Sequence, residues 1–320
     1  MLDLTIWIIV FVASLYVLIK ASDYFTNSAE KIGLHFRIPA FVVGVTIVAI
    51  GTSLPELISS IFAVMNNASE IVIGNVIGSN IANIFLVLGV AAIIGKKLKV
   101  HYGLIHVDLP ILFGSMALFA ISVWDGIFTA MEAVLSLALL TVYILYTISS
   151  QKKDTQIKKE IKKRNNIDKD KKLDKKILIT LILSAIFIAI GAKYIVESVI
   201  NISEIMNIGK EIIAISAVAL GTSLPELFVS LTAAKKGNPE MAIGNVLGSN
   251  IFNTLAVMGI PALIGNLTIP SSILTFSLPV MIIATLTYYF TTQDREVTKW
   301  EGWMLIILYI LFIGKLFNLF

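Results

Sequence analysis

"GTSLPE" occurs at Gly51–Glu56 and again at Gly221–Glu226, each time inside a long apolar stretch. Proline in a helix removes an amide hydrogen and crowds the preceding turn. An acid in hydrocarbon costs about 3 kcal/mol even on the lower scales. A chain that places both there twice has a use for them. The copies continue as "LISSIFAVMNNASEIVIGNVIGSNIANIFLVLGVAAIIG" and "LFVSLTAAKKGNPEMAIGNVLGSNIFNTLAVMGIPALIG", with about half the positions identical and no gap. The two glutamates stand 226 − 56 = 170 positions apart, and the same shift carries Ser79 onto Ser249. Coincidence on a generic apolar pattern does not produce this; the chain is a duplication.

Composition sets the solvent. Of 320 residues, 57% are hydrophobic and 14% charged, where soluble domains carry about a quarter charged. Apolar runs long enough to cross a hydrocarbon core of roughly 30 Å recur along the chain. They predict ten helical spans: 4–22, 40–66, 71–95, 104–122, 127–149, 177–200, 211–234, 241–265, 271–291 and 301–319. Continuous runs, unlike short alternating ones, argue against a β-barrel. The first span is not expected to be a secretory signal, since Asp3 stands in place of a basic start and the run is too long for a signal's apolar core. With no cysteine, disulfides and thiolate metal sites are excluded.

The formal charge of +4 does not point to nucleic acid, because basic residues concentrate in one polar stretch, Gln151–Lys176. That stretch reads as a solvated connector. The expected organisation is an all-α membrane protein of about ten transmembrane helices. Residues 1–150 form the first repeat, 151–176 the basic linker and 177–320 the second repeat. Five spans precede the linker and five follow, so the second half is inverted, as in secondary transporters. Lys and Arg favour cytoplasmic loops. Placing the linker inside also places Lys31 and Arg37, Lys96–Lys99, Lys235–Lys236, and Arg295 and Lys299 inside. The loops near Asn66–Glu70, Trp124–Asp125 and Asn266–Pro270 lack Lys and Arg. Both termini are then expected outside, in a multi-pass protein of the plasma membrane.

Pro55 and Pro225 are expected to free carbonyls near Ala49–Gly51 and Ala219–Gly221, with Gly51 and Gly221 giving flexibility. Such carbonyls are candidate cation ligands. Helical spacing lines up Thr52, Glu56 and Ser60, and likewise Thr222, Glu226 and Ser230, with Ser53 and Ser223 on a neighbouring face. Asn75, Ser79 and Asn83 form a polar stripe on the next helix, matched by Asn245, Ser249 and Asn253. Gly74 and Gly78, and Gly244 and Gly248, have the spacing of close helix approach. Two acids meeting there repel unless protonated or bridged by a cation. The donor set of carboxylate, hydroxyl, amide and carbonyl oxygen suits Ca²⁺ or Na⁺, not soft metals. For Asn75 and Asn245 two readings stand side by side, ion ligand or interhelical hydrogen bond. Ser60 and Ser230 read as packing residues, and His35, His101 and His106 as solvated. Asp23, Glu132, Lys193 and Glu197 read as span-end residues that snorkel.

"GTSLPE" followed by "GNVxGSN", duplicated, resembles the α-repeats of the cation/Ca²⁺ exchanger superfamily, particularly prokaryotic sodium/calcium exchangers. The resemblance implies ten helices in two inverted halves, alternating access, and ligands from the second, third, seventh and eighth helices. On matching positions these are Glu56 and Glu226, the hydroxyls of Thr52, Ser53, Ser79, Thr222, Ser223 and Ser249, the carbonyls of Ala49 and Ala219, and the amide of Asn83. Asn253 stands where some relatives carry aspartate.

The expected function is Na⁺/Ca²⁺ antiport, electrogenic at 3 Na⁺ to 1 Ca²⁺, without cofactor, enzymatic activity or obligatory protein partner; the partners are the two ions and the bilayer. A Ca²⁺/H⁺ antiporter is the nearest alternative. A passive cation channel and an intramembrane hydrolase are the alternatives of other classes.

Overall fold

The computed structural model describes residues 2–36, 38–65, 69–100, 107–150, 174–205, 223–317 and 319. Among these residues are ten helices: α1 (Leu2–Phe36), α2 (Ala40–Met65), α3 (Glu70–Gly95), α4 (Asp108–Ser122), α5 (Ala130–Ser150), α6 (Lys175–Ile205), α7 (Leu224–Lys235), α8 (Pro239–Ala262), α9 (Ile273–Thr292) and α10 (Lys299–Leu316). Seven are long and apolar enough to cross a membrane by length and composition. The fold is the expected all-α membrane architecture. Most of the linker, 151–173, lies outside the described residues.

Two helices exceed the spans predicted. The apolar run of α1 ends near Ile19, but the helix continues for 35 residues, about 52 Å at 1.5 Å per residue. Its polar residues do not break it, because Ser22 and Thr26 turn their hydroxyls back onto the carbonyls of Leu18 and Ser22, each at 2.8 Å. Pro39, which caps α2, marks the next start. The helix α6 likewise runs for 31 residues. Asp23, Lys193 and Glu197 therefore lie within continuous helices, well before the helix ends. Glu132 does lie in a first turn, where it accepts from the Thr129 amide at 2.6 Å and hydroxyl at 2.9 Å.

Burial separates inner from outer helices. In α8, 94% of the most apolar stretch is buried, against 17% in α1; α2, α3, α7 and α8 pack together at the centre. Outside them, α5 lies on α8 as α10 lies on α3, and α4 on α8 as α9 on α3. The pair α1 and α6 packs lengthwise, α1 also touching α7 and α6 touching α2. Each of these contacts has its counterpart in the other half.

Two short antiparallel ribbons tie the halves together. Strand β1 (Lys97–Lys99) pairs with β4 (Glu296–Thr298), with Leu98 opposite Val297. Strand β2 (Ile127–Phe128) pairs with β3 (Leu267–Thr268), with Phe128 opposite Leu267. These four apolar side chains are buried. The 170-position shift carries β1 onto β3 and β2 into β4, so it exchanges the ribbons. They sit at opposite ends of the bundle: β1–β4 at the linker end, β2–β3 at the far end.

The helices α2 and α8 approach closely. A Cβ on Gly44 would strike the Met241 carbonyl, one on Gly244 the Phe41 carbonyl, and one on Gly248 the Val45 carbonyl. Backbone therefore lies on backbone, as the spacing of Gly244 and Gly248 predicts. Gly74 differs: among described residues it meets only Ile273, at 4.0 Å.

Candidate functional site

The central four helices deliver two carboxylates to one buried place. Glu56 stands on α2 and Glu226 in the first turn of α7. Both are essentially inaccessible, and they interact electrostatically. The two halves engage directly: Ser53 of the first donates to Glu226 Oε1 of the second at 2.8 Å. Among described residues no ion pair reaches either acid.

Local structure differs at the two motifs. Pro55 lies inside a continuous α2, which absorbs its proline after a π turn at Gly44–Val48. The Ala49 carbonyl there accepts from Thr52 Oγ1 at 3.3 Å. Gly51 is no free hinge: a Cβ on it would lie 2.7 Å from the Phe25 ring, so the missing side chain seats α1 against α2. Among described residues α7 begins at Leu224, which puts Pro225 in its first turn with Ser223 as the preceding cap residue. Ala219, Gly221 and Thr222 lie outside the described residues.

The asparagines divide into two groups. Asn245 donates to Ser230 Oγ at 2.8 Å and to the Glu226 carbonyl at 3.4 Å, while its Oδ1 accepts from Thr52 at 3.3 Å. Asn75 donates to Ser60 at 3.4 Å, and its Oδ1 accepts from Ser79 at 3.4 Å. These two connect helices. Ser60 and Ser230 are thus more than packing: each holds an amide nitrogen so that the amide oxygen turns to the site hydroxyls. Asn83 and Asn253 instead each open a π turn, Asn83–Leu88 and Asn253–Val257. Such turns are frequent at functional sites.

Several buried polar atoms here have no hydrogen-bond partner among described residues. They are both oxygens of Glu56, Oε2 of Glu226, the hydroxyls of Ser223 and Ser249, and both amide atoms of Asn83 and of Asn253. An unsatisfied buried group costs about 1–3 kcal/mol, so such a concentration suits a place where a bound cation supplies partners to the oxygens. Most of these atoms are oxygens. Ala49, Thr52, Ser53 and Ser79 are likewise buried. Among described residues no three His, Cys, Asp or Glu side chains gather, so an ion held here would rely on neutral oxygens beside two carboxylates.

Sequence reasoning missed a second polar layer. Asn80 of α3 donates to Thr254 of α8 at 2.9 Å, and Thr254 donates to the Asn250 carbonyl at 2.8 Å. Asn80 was legible only as the last letter of "GSN". Asp108, at the start of α4, is buried and accepts from the Tyr143 hydroxyl at 3.0 Å; no repeat signal marks it. His35 lies in the last turn of α1 beside Phe36. His101 and His106 fall outside the described residues.

Two inverted five-helix halves meeting at a buried, oxygen-lined pair of acids define a membrane protein built as secondary transporters are. The family model described as sodium/calcium exchanger protein matches residues 6–150 and 176–317, and the chain belongs to that family. It is 36% identical to the sodium/calcium exchanger MaX1 of Methanosarcina acetivorans, over 98% of this chain and 99% of that one. It is 29% identical to the inner membrane protein YrbG of Escherichia coli, over 79% and 78%. Among solved structures it resembles the sodium-calcium exchanger NCX_Mj soaked with 2.5 mM Na⁺ and 10 mM Sr²⁺, with a TM-score of 0.83, 32% identity, and 97% and 99% of the two chains covered.

Proposed function

We propose that this chain exchanges Na⁺ for Ca²⁺ across the plasma membrane by alternating access, with the carboxylate pair as the shared binding site. The observation that carries this reading is the meeting of Glu56 and Glu226 from inverted halves, with Ser53 of one half bonded to the acid of the other. Ca²⁺ takes 6–8 oxygens. The proposed donors are Glu56, Glu226, Thr52, Ser53, Ser79, Asn83, Thr222, Ser223, Ser249, Asn253 and the carbonyls of Ala49 and Ala219. One Ca²⁺ neutralises the pair; several Na⁺ replace it by occupying separate parts of the cluster. The empty, charged site resists crossing the apolar barrier, which couples the two fluxes.

Magnitudes favour three Na⁺ per Ca²⁺. Moving Ca²⁺ against a ~10⁴-fold gradient costs about 5.5 kcal/mol. A tenfold Na⁺ gradient supplies about 1.4 kcal/mol per ion. Two Na⁺ give about 2.8 kcal/mol with no net charge moved, which is too little. Three give about 4.2 kcal/mol, plus about 2.3 kcal/mol for one positive charge entering at 100 mV. In this orientation residues 151–176 face the cytoplasm and both termini face outside, with 1–150 and 177–320 as the repeats.

The deciding experiment is ⁴⁵Ca²⁺ flux into proteoliposomes under imposed Na⁺ gradients at clamped pH, with Glu56→Gln and Glu226→Gln as controls. Na⁺-driven uptake lost in both variants is expected. Uptake driven by a pH gradient without Na⁺ would instead identify Ca²⁺/H⁺ exchange, and Ca²⁺ flux independent of any counter-ion a channel.

A further inference from the structure

Lys236, at the C-terminal cap of α7, holds three oxygens of α1. Its ammonium lies 3.1 Å from Asp23 Oδ1, 3.0 Å from the Asp23 carbonyl and 3.1 Å from Asn27 Oδ1. An ammonium has three donors, so this one is fully used. The tie joins α1 to the helix that carries Glu226 at its other end. Two positions along α1, Phe25 fills the space above Gly51, next to Thr52 and Ser53. This turn of α1 is therefore held from two sides, by α2 beside the site and by the α7 terminus at the linker end, which also meets α3, a Cβ on Gly95 lying 3.7 Å from Ala234 Cβ.

The other half lacks this chemistry. The 170-position shift carries Asp23 to Lys193, Asn27 to Glu197 and Lys236 to Asn66. Lys193 and Glu197 pair with each other along α6 at 3.6 Å, and position 66 carries no charge. Inverted repeats alternate by exchanging the arrangements of their halves. A tie that one half can make and the other cannot stabilises one end state alone and shifts the balance between the two. The geometry points to an ionic latch: Asp23, Asn27 and Lys236 are positioning residues that hold the linker end closed and bias the carrier toward that state. The assignment rests on the antiport reading for its consequence in transport, not for its detection.

The chain contains no cysteine, so a single Ser22→Cys reports on the latch. Ser22 is fully buried, with its hydroxyl turned back onto Leu18. In oriented membrane vesicles, Lys236→Gln and Asp23→Asn are each expected to speed labelling of the introduced thiol by an impermeant maleimide from the linker side, about twofold to fivefold, the range for a partly exposed ion pair. The double variant is expected to label no faster than either single one. Asn27→Asp gives Lys236 a second carboxylate and is expected to slow labelling. Unchanged labelling in the neutral variants, additive effects in the double, or faster or unchanged labelling in Asn27→Asp would overturn the latch. Should a neutral variant misassemble, Asn27→Asp still decides. Labelling needs no ion exchange: normal latch behaviour without Na⁺-driven Ca²⁺ flux would sink the transport reading alone. Where that flux is present, the neutral variants are expected to raise the apparent Ca²⁺ affinity on the linker side by the same factor.

Discussion

Glu226 accepts a hydrogen bond from Ser53, whereas Ser223, the counterpart of Ser53 under the 170-position shift, makes none among described residues. The two acids are equivalent in sequence and unequal in surroundings. A hydrogen bond to a charged group contributes about 1.5–3 kcal/mol. Ser53→Ala is therefore expected to weaken apparent Ca²⁺ affinity at least tenfold in flux assays, with protein yield unchanged. Ser230 acts through Asn245. Ser230→Ala and Asn245→Ala should each reduce affinity, and together no further than Asn245→Ala alone; an additive loss would mean that Ser230 has a separate role.

At the scale of helices, close packing and capping set the geometry. Gly248 has the Val45 carbonyl and the Ala49 Cβ where its own Cβ would be, while Gly114 in α4 has nothing within 4 Å. Gly248→Val is expected to lower the melting temperature strongly, by forcing apart two helices that meet backbone on backbone there. Gly114→Ala is expected to raise stability by about 0.5–1 kcal/mol, the helix-propensity gain at an open position. Thermal unfolding in detergent compares the two. The starts of α5 and α10 repeat one device. Thr129 bonds Glu132 through amide and hydroxyl, and Thr298 bonds Glu301 the same way at 2.7 and 2.8 Å. Only Thr298 also accepts from the Glu301 amide, completing a capping box. Thr298→Ala should cost about 1 kcal/mol.

For the molecule as a whole, the ribbons matter because each takes one strand from each half. Neither half can bury Leu98 and Val297, or Phe128 and Leu267, by itself. Residues 1–150 expressed alone are expected to aggregate or degrade, and coexpression with 177–320 to restore a ⁴⁵Ca²⁺-transporting complex. Charge movement also belongs at this scale. With three Na⁺ entering for each Ca²⁺ leaving, an inside-negative potential is expected to speed Ca²⁺ extrusion. Currents on a supported membrane measure it, and absence of net current would exclude that ratio.

By itself the sequence determined the solvent, the number of helices at about ten, the duplication, its inversion and the pair of acids. Each follows from composition or from a repeated string, and a buried acid is costly enough to declare itself in the chain. Tertiary structure alone decided the rest. Apolar periodicity shows which residues avoid water, but it does not tell lipid from protein as the alternative. It therefore did not predict the full length of α1, whose hydroxyls satisfy themselves within the helix; the central place of α8 was legible only from its polar stripe and its paired glycines. Gly51 read as a hinge because permissiveness is a property of the residue, whereas the Phe25 ring that occupies its space comes from another helix. Ser60 and Ser230 read as filler because their partners lie fifteen residues away on the next helix. The unequal engagement of Glu56 and Glu226 is invisible in two identical hexapeptides. It arises because an inverted pair of halves, once packed, does not hold both in the same conformation.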